Sequence, residues 1–267
     1  MPKIRKPPWP RKCPDCNIEF SSVQNRGQCP QCRLIFIVDD SGALASRQPS
    51  LGELLRGDVS IASSPPTDLS SAVEQWKATG KAEPLYISDK IITDFFPLLE
   101  IEGLTKLTVE GEKFEDYSTL CKLDELQSLF IHDLGKDIHW ISDLQQISEL
   151  EFTDCEFRDL APIAKLKNLK RLGFYWCVRF SDLTPLSQLK QLEHLMFYEC
   201  SKVVDLQPLS YCRNLTTIEL IDCFKLRDLT PLASLQKLKM LRLVGGNDKI
   251  NVSPLLKLKS LDIRYRE

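Results

Sequence analysis

Apolar residues recur along most of the chain at a spacing that neither a long helix nor an isolated strand explains. Nine short apolar segments begin at residues 85, 107, 129, 150, 172, 195, 218, 241 and 261, so successive repeats are 20 to 23 residues long. Three residues before most segments lies another apolar residue, as Leu192 precedes Leu195. A period near 22 residues is typical of solenoids, in which each repeat stacks on the next. The pattern predicts about nine parallel strands.

A second motif follows several of these strands. Asp-Leu-x-Pro occurs at residues 159, 182, 205 and 228. Within it, Thr184-Pro185 and Thr230-Pro231 place a hydroxyl just before a proline, which suits the first turn of a helix. We therefore expect short helices or 3₁₀ turns on the convex side of the solenoid, with the threonine hydroxyl as the cap.

Together, the LxxLxLxxC spacing and the Pro-Leu-x-x-Leu-x-x-Leu-x-x-Leu-x-Leu cadence resemble leucine-rich repeats, in particular the short bacterial repeats of internalin-like proteins. The resemblance covers roughly residues 82–267 and implies an α/β fold, a leucine-rich-repeat solenoid with a parallel β-sheet on its concave face. The chain departs from the internalin-like pattern where that family usually has asparagine, because Cys155, Cys177, Cys200 and Cys223 occupy this position.

These four cysteines form a ladder, one at the turn after each of four strands. A small, buried side chain with a weak polar contact fits such a turn, so we expect them to fill the core. A disulfide between neighbouring rungs stays open on distance alone, since parallel strands lie about 4.8 Å apart. Cys121 and Cys212 fall in convex segments, where we expect them to be buried or inert.

Large apolar side chains occupy strand positions that should face away from the core. In a half-buried strand apolar and polar residues alternate, yet "LMFYEC" at 195–200 is apolar on both faces. The residues expected on the concave side form what we call the concave patch: Tyr175, Trp176, Met196, Tyr198, Glu199, Ile221 and Asp222. Val244 extends it, and Asp154 and Glu219 add to its acidic rim. Aromatic residues and Met inside a charged rim are typical of protein-binding surfaces. The patch is therefore predicted to bind a protein partner; cover by the chain's own linker or ribbon, or no role, are the alternatives.

Near the N-terminus, two matched cysteine pairs predict a metal site. "CPDCNIEF" and "CPQCRLIF" place Cys13, Cys16, Cys29 and Cys32 as two Cys-x2-Cys pairs twelve residues apart. Two tight turns that each present two thiolates complete a tetrahedral shell, which suits structural Zn²⁺. The segment resembles the short zinc ribbons of many bacterial proteins over residues 11–38. A redox Cys-x-x-Cys pair is the alternative.

Charge divides the chain unevenly. Residues 1–38 hold seven Lys and Arg against two acidic residues, a balance of +5, so the remainder of a chain of net charge −2 carries −7. Basic residues around Trp9 could contact phosphates and stack a base. The alternative function is therefore a nucleic-acid-associated regulator that binds DNA or RNA through the ribbon.

Composition separates the predicted modules. Residues 39–70 are rich in Ser, Pro, Gly and Asp and are interpreted as a linker with one short helix, "SLGELLRG". A second helix is expected over 71–80, with Ser71 as its N-cap and Glu74 completing a capping box, to cover the apolar edge of the repeats. The domains are thus 1–38 (tail and ribbon), 39–70 (linker) and 71–267 (repeats).

Catalytic and membrane functions are not expected. The three histidines form no nucleophile–base spacing and no Gly-rich phosphate loop occurs, so we predict no enzyme and no small-molecule substrate. No apolar run reaches the roughly 18 residues of a membrane span. The basic first residues lack an apolar stretch behind them, so a cytoplasmic location with reduced thiols is expected. A secreted adhesin is a further alternative.

Overall fold

Strands and short turns alternate along most of the chain. The computed structural model describes residues 26–28, 35–37, 68–81, 83–89, 91–111, 114, 116–245 and 250–266, with only the backbone at 26–28, 35–37, 265 and 266. Within these residues lie helix α1 (Leu69–Ala78) and the strands β1 (Arg26–Gln28), β2 (Ile35–Ile37), β3 (Leu85–Ser88), β4 (Lys106–Glu110), β5 (Ser128–His132), β6 (Glu149–Thr153), β7 (Arg171–Tyr175), β8 (His194–Tyr198), β9 (Thr217–Ile221), β10 (Met240–Val244) and β11 (Asp262–Arg266).

The chain divides into two compact units, Met1–Pro65 and Pro66–Glu267. In the first, β1 and β2 pair antiparallel, with Gly27 opposite Phe36. The four predicted zinc ligands lie outside the described residues, as do the basic first residues. Zinc binding and nucleic-acid binding therefore stay predictions.

The second unit contains a parallel sheet in which chain order and spatial order coincide. Its nine strands run β3 to β11 without a crossover. Register is conserved from strand to strand, as Leu172 pairs with Leu195 and Leu195 with Ile218. The predicted solenoid of nine parallel strands is confirmed, because every strand pairs in parallel with the next one in the chain.

The core lies between the sheet and the 3₁₀ turns that return the chain to it. Alternate strand residues such as Leu172 and Phe174 point into it, and so do turn residues such as Leu186 and Leu209. The turns span Phe96–Glu100, Ser118–Lys122, His139–Asp143, Ile163–Lys165, Thr184–Gln188, Gln207–Tyr211, Thr230–Ser234 and Ser253–Lys257. The short convex elements expected from Asp-Leu-x-Pro are therefore 3₁₀ turns.

An aspartate, not a threonine, caps these turns. The turn that begins at Thr184 has no side-chain cap of its own. Instead the Asp182 carboxylate accepts the Thr184 N–H at 2.8 Å, and the Thr184 hydroxyl also donates to it. These two hydrogen bonds hold the pKa of Asp182 below its usual value. The expected threonine cap was wrong, because the hydroxyl serves as a donor to the aspartate.

The same cap recurs at or just before the start of each 3₁₀ turn in the described part of the chain. A side-chain oxygen accepts the backbone N–H two residues later, at 2.7–3.0 Å, from Asp94, Asp116, Asp137, Asp159, Asp182, Asp205, Asp228 and Asn251. At Asn251 an amide oxygen accepts the backbone N–H in place of a carboxylate oxygen. A neutral acceptor can therefore occupy this position.

We expect Asp205→Ala to lower the stability of the repeat unit by about 1 kcal/mol, because the Gln207 N–H loses its acceptor. Asp205→Asn should retain most of that stability, since Asn251 already caps in this way. Urea unfolding followed by far-ultraviolet circular dichroism measures both. Equal losses in the two variants would show that charge, not the hydrogen bond, is responsible.

Helix α1 begins two residues earlier than expected. Asp68 is the N-cap and accepts the Ser71 N–H at 2.8 Å, while the Ser71 hydroxyl accepts the Asp68 N–H. Ser71 therefore completes the capping box from the third helical position and is not the cap. The helix packs against β3, with Trp76 buried in the core and its indole N–H donated to the Glu83 carbonyl oxygen.

All four ladder cysteines are free and buried in the core. The thiol of each lies near the carbonyl oxygen of a core strand residue one rung earlier, as Cys200 Sγ lies 3.5 Å from Phe174 O. Burial raises the pKa of the Cys200 thiol, and it raises that of Cys223 to about 12. Cys212 is also buried, whereas Cys121 is partly exposed.

Native alkylation should therefore be slow at the four ladder cysteines, because burial restricts access of the reagent to each thiol. Peptide-level mass mapping after a short iodoacetamide pulse measures each site, with the partly exposed Cys121 as the internal reference. Labelling of a ladder cysteine faster than Cys121 would contradict its burial.

Cys200→Ala should lower the free energy of unfolding of the repeat unit by about 1–2 kcal/mol, because packing around the buried thiol is lost.

Candidate functional site: the concave face

The face of the large sheet turned away from the core, here called the concave face, presents two aligned rows of side chains. Strand register places Glu151, Gly173, Met196, Glu219 and Arg242 in one row and Thr153, Tyr175, Tyr198, Ile221 and Val244 in the other. Neighbouring strands of a sheet lie about 4.8 Å apart, so adjacent members of a row are in contact range. The sheet therefore brings the strand residues of the concave patch together.

Three large side chains of the concave patch are buried although they lie outside the core cluster. Tyr175 and Ile221 are each 2% exposed and Tyr198 is 8% exposed. The Tyr175 and Tyr198 ring centroids are 6.4 Å apart, and Trp176 meets Tyr198 edge-on at 5.1 Å. These rings form a packed apolar floor on the concave face. Accessible surface in the patch belongs to the half-buried Trp176, Met196, Glu199 and Asp222.

A glycine makes room for this floor. A Cβ at Gly173 would lie 2.9 Å from Tyr175 Cε2 and 3.1 Å from Glu151 Cγ. The tyrosine ring and the glutamate chain therefore meet over Gly173, and the Tyr175 hydroxyl hydrogen-bonds to the Glu151 carboxylate. Burial first, and then the Glu151 charge, raises the pKa of Tyr175.

Directly after their strands, the patch residues Trp176, Glu199 and Asp222 adopt left-handed backbone conformations, with φ of +54°, +51° and +52°. Asp133 and Asp154 do the same in the two preceding repeats. Aspartate tolerates this region, whereas a bulky residue is strained there by about 1–2 kcal/mol. Each N–H still donates to the next strand, as Trp176 does to Tyr198 O at 2.9 Å.

Two carboxylates of the patch are partly desolvated. Burial raises the pKa of Glu199, the charge of Asp222 raises it further, and hydrogen bonds from Trp176 and Tyr198 oppose the shift. Burial also raises the pKa of Asp222. Both groups therefore hold their negative charge at a free-energy cost that a cation could offset.

Glu219, expected on the acidic rim, is already neutralised within the chain. Its carboxylate lies 2.9 Å from the Arg242 guanidinium, and the two side chains are only 18% and 22% exposed. The sequence interpretation missed this pair, although the 23-residue spacing of Glu219 and Arg242 places them side by side on adjacent strands. Glu219 is therefore not free to bind a partner's cation without releasing Arg242.

Towards the first strands, the concave face becomes more polar. Tyr86 donates its hydroxyl to the Glu110 carboxylate, and the pKa of Tyr86 is raised mainly by burial. His132, on β5, has its pKa lowered by burial, with the Glu110 charge acting in the opposite direction. In the part of the chain that the structure describes, no group of three His, Cys, Asp or Glu residues could hold a metal ion.

Comparison with known proteins concerns the fold alone. No protein-family model matches the chain, and no curated protein matches it. Among solved structures, internalin C2 from Listeria monocytogenes is 23% identical, with a TM-score of 0.51 over 80% of this chain and 90% of that one. The fold is a leucine-rich-repeat solenoid.

A second internalin from Listeria monocytogenes is similar over 65% of this chain, at 21% identity and a TM-score of 0.44. The match spans 57% of that internalin, so this chain covers less than two thirds of its length.

Within the leucine-rich-repeat unit and the other described residues, no helix has the length and hydropathy needed to cross a membrane.

Proposed function

We propose that the chain is a non-enzymatic protein-interaction module whose concave face binds another protein through the concave patch. The carrying observation is the apolar floor of Tyr175, Tyr198 and Ile221, which is packed on the face of the sheet that the core does not use. A merely solvated face would carry polar residues there. Rigid aromatic floors bind with little loss of side-chain entropy.

The accessible part of the patch supplies the anchors. Trp176 and Met196 are half-buried and stand beside the floor, so a partner can bury the rest of their surface. Aromatic residues dominate the energetics of protein interfaces. Trp176 shares its left-handed backbone conformation with the residues at the same position in the neighbouring repeats, so the repeat itself fixes the place of this anchor.

The test uses the tagged full-length chain as bait in a lysate of the organism that encodes it, with captured proteins identified by mass spectrometry. We expect a partner that Trp176→Ala or Met196→Ala loses and Lys190→Ala retains. Lys190 is the control because it is exposed beyond a 3₁₀ turn, on the other side of the core. With the partner in hand, Trp176→Ala should weaken binding by about 2 kcal/mol, or roughly thirtyfold. Loss with Lys190→Ala but not with the concave variants would contradict the proposal.

For the first unit, we infer that residues 1–38 bind one Zn²⁺ through Cys13, Cys16, Cys29 and Cys32 and serve as a structural or adaptor element. The matched spacing of the two cysteine pairs supports this. The metal would supply folding free energy that about 38 residues cannot obtain from a hydrophobic core.

A further inference from the structure

Three consecutive loops after β7, β8 and β9 share one arrangement at the edge of the sheet. In each loop a ladder cysteine points into the core, and the residues on either side of it are at least partly exposed. These flanking residues are Trp176 and Val178 in the first loop, Glu199 and Ser201 in the second, and Asp222 and Phe224 in the third. We call Trp176, Val178, Glu199, Asp222 and Phe224 the rim patch.

The rim patch exposes more apolar surface than the concave floor does. Val178 is 38% exposed and Phe224 is 52% exposed. They occupy equivalent positions two rungs apart, which corresponds to about 10 Å in a parallel stack. The small Ser201 lies at the same position on the rung between them. The two exposed apolar side chains therefore lie on either side of a small residue, and we call the space over Ser201 the gap.

In the same loops, two carboxylates lack a cationic partner among the described residues, although Glu199 accepts hydrogen bonds from Trp176 and Tyr198. None of the ion pairs among the described residues involves Glu199 or Asp222, whereas Glu149, Glu156 and Glu219 each pair with an arginine. Gly245 allows the Asp222 carboxylate to lie across its backbone, since a Cβ there would be 1.8 Å from Oδ1. Glu199 and Asp222 are on adjacent rungs, close enough for the Asp222 charge to raise the pKa of Glu199.

A row of cations follows on the outer side of the same loops. Arg179, Lys202 and Lys225 are exposed two residues after their cysteines, and Arg179 lies 3.2 Å from Glu156. Arg179 is thus neutralised by Glu156, and the positive charge of this row comes from Lys202 and Lys225, whereas Glu199 and Asp222 supply negative charge before their cysteines. A partner that docks on the concave face must present its cation to the negative side.

We propose that the rim patch binds a protein segment in which an arginine or lysine stands next to an apolar residue. The apolar side chain fills the gap between Val178 and Phe224, and the cation lies over Glu199 and Asp222 beside the Trp176 indole. Charge complementarity and the exposed apolar pair select this occupant. The inference rests on the proposed function, because it assigns the partner chemistry of one border of the concave face.

The test uses a random dodecapeptide library displayed on phage and selected on the full chain. We expect enriched peptides with Arg or Lys adjacent to a large apolar residue. A synthetic copy of the enriched peptide should bind Glu199→Gln/Asp222→Asn at least about tenfold more weakly than wild type, because a charge-assisted contact is lost. Phe224→Ser should also weaken it. Glu125→Gln, an exposed carboxylate away from the sheet, should bind like wild type.

Each outcome decides the inference. Neutral or acidic enriched peptides, no enrichment, or unchanged binding by Glu199→Gln/Asp222→Asn would overturn it. Thermal melting separates misfolding from lost contacts, and amide substitutions of partly buried carboxylates should not lower the melting temperature. If the captured partner loses binding with Met196→Ala but not with Glu199→Gln/Asp222→Asn, the concave function stands and the rim inference fails. If neither change affects that partner, both fail.

Discussion

Phe174→Ala should lower the free energy of unfolding of the repeat unit by about 3–5 kcal/mol, because it leaves a cavity in a closely packed aromatic column. Phe174 is fully buried and stacks between Phe152 and Phe197, with ring centroids 5.6 and 5.5 Å away and interplanar angles of 12° and 7°. The Phe180 ring packs against the side of this column, with its centroid 4.8 Å from the centroid of the Phe174 ring. Phe152 and Phe197 lie on paired strands, so they cannot move into the space without disturbing strand register.

Urea unfolding followed by far-ultraviolet circular dichroism measures this loss. Met196→Ala is the matched control, because it removes a large side chain from the adjacent strand on the concave face, where it is only half-buried. We expect it to cost less than half as much as Phe174→Ala. Similar losses for the two variants would show that the two faces of the sheet contribute equally, against the burial pattern. A smaller m-value, the slope of the free energy of unfolding against urea concentration, would indicate that part of the solenoid unfolds separately.

Native mass spectrometry should find one Zn²⁺ per wild-type chain and none in the Cys13→Ser/Cys29→Ser variant. Together the two substitutions remove one thiolate from each Cys-x2-Cys pair, so neither pair keeps two sulfur ligands. A tetrahedral thiolate site that loses half of its ligands does not retain the metal at low micromolar zinc. Wild-type protein without metal would contradict the zinc proposal.

The same variant should keep the thermal transition of the repeat unit. The first compact unit ends at Pro65 in the sequence, and the cysteines concerned all lie in that unit. The control is Cys155→Ser/Cys200→Ser, which should retain zinc but lower that transition, since both thiols are buried in the core. A large shift of the transition in Cys13→Ser/Cys29→Ser would show that the metal stabilises the repeats as well.

The strands of the solenoid could be predicted because one physical signal repeats nine times. Each strand pairs inward residues such as Leu195 and Phe197, and the segment start predicted from sequence lies within one residue of the observed strand. Averaging over repeats removes the ambiguity of any single short apolar run. The inward position of the ladder cysteines followed from the same register.

Local caps were harder to assign, because several residues in a short motif can accept the same N–H. Thr184 and Asp182 both precede a 3₁₀ turn, and the sequence favoured the one next to the proline. Asp182 acts instead because its carboxylate, two residues before the N–H, closes a small hydrogen-bonded ring. The start of α1 was misplaced for the same reason, since Asp68 and Ser71 bond reciprocally.

Burial on the concave face could not be predicted from alternation. Alternation gives the side on which Tyr175 lies, but its exposure depends on Gly173 two residues earlier and on Glu151 one rung away. The signal that could have revealed this is the lone glycine within a strand, which often marks a close approach. The left-handed backbone conformation after the strands could also have been predicted, because aspartate, which tolerates it, stands at this position in three repeats, at 133, 154 and 222.

Because each strand of the large sheet pairs only with the strands before and after it in the chain, the surface is an ordered series of separable units. Duplication or loss of one 22- or 23-residue unit would leave the remaining register intact and bring new side chains side by side. Recombination between repeats could thus place Met196 and Tyr198 next to a different neighbour in a single genetic event. Binding specificity in this chain can evolve by rearranging whole rungs, and not only by substituting residues one at a time.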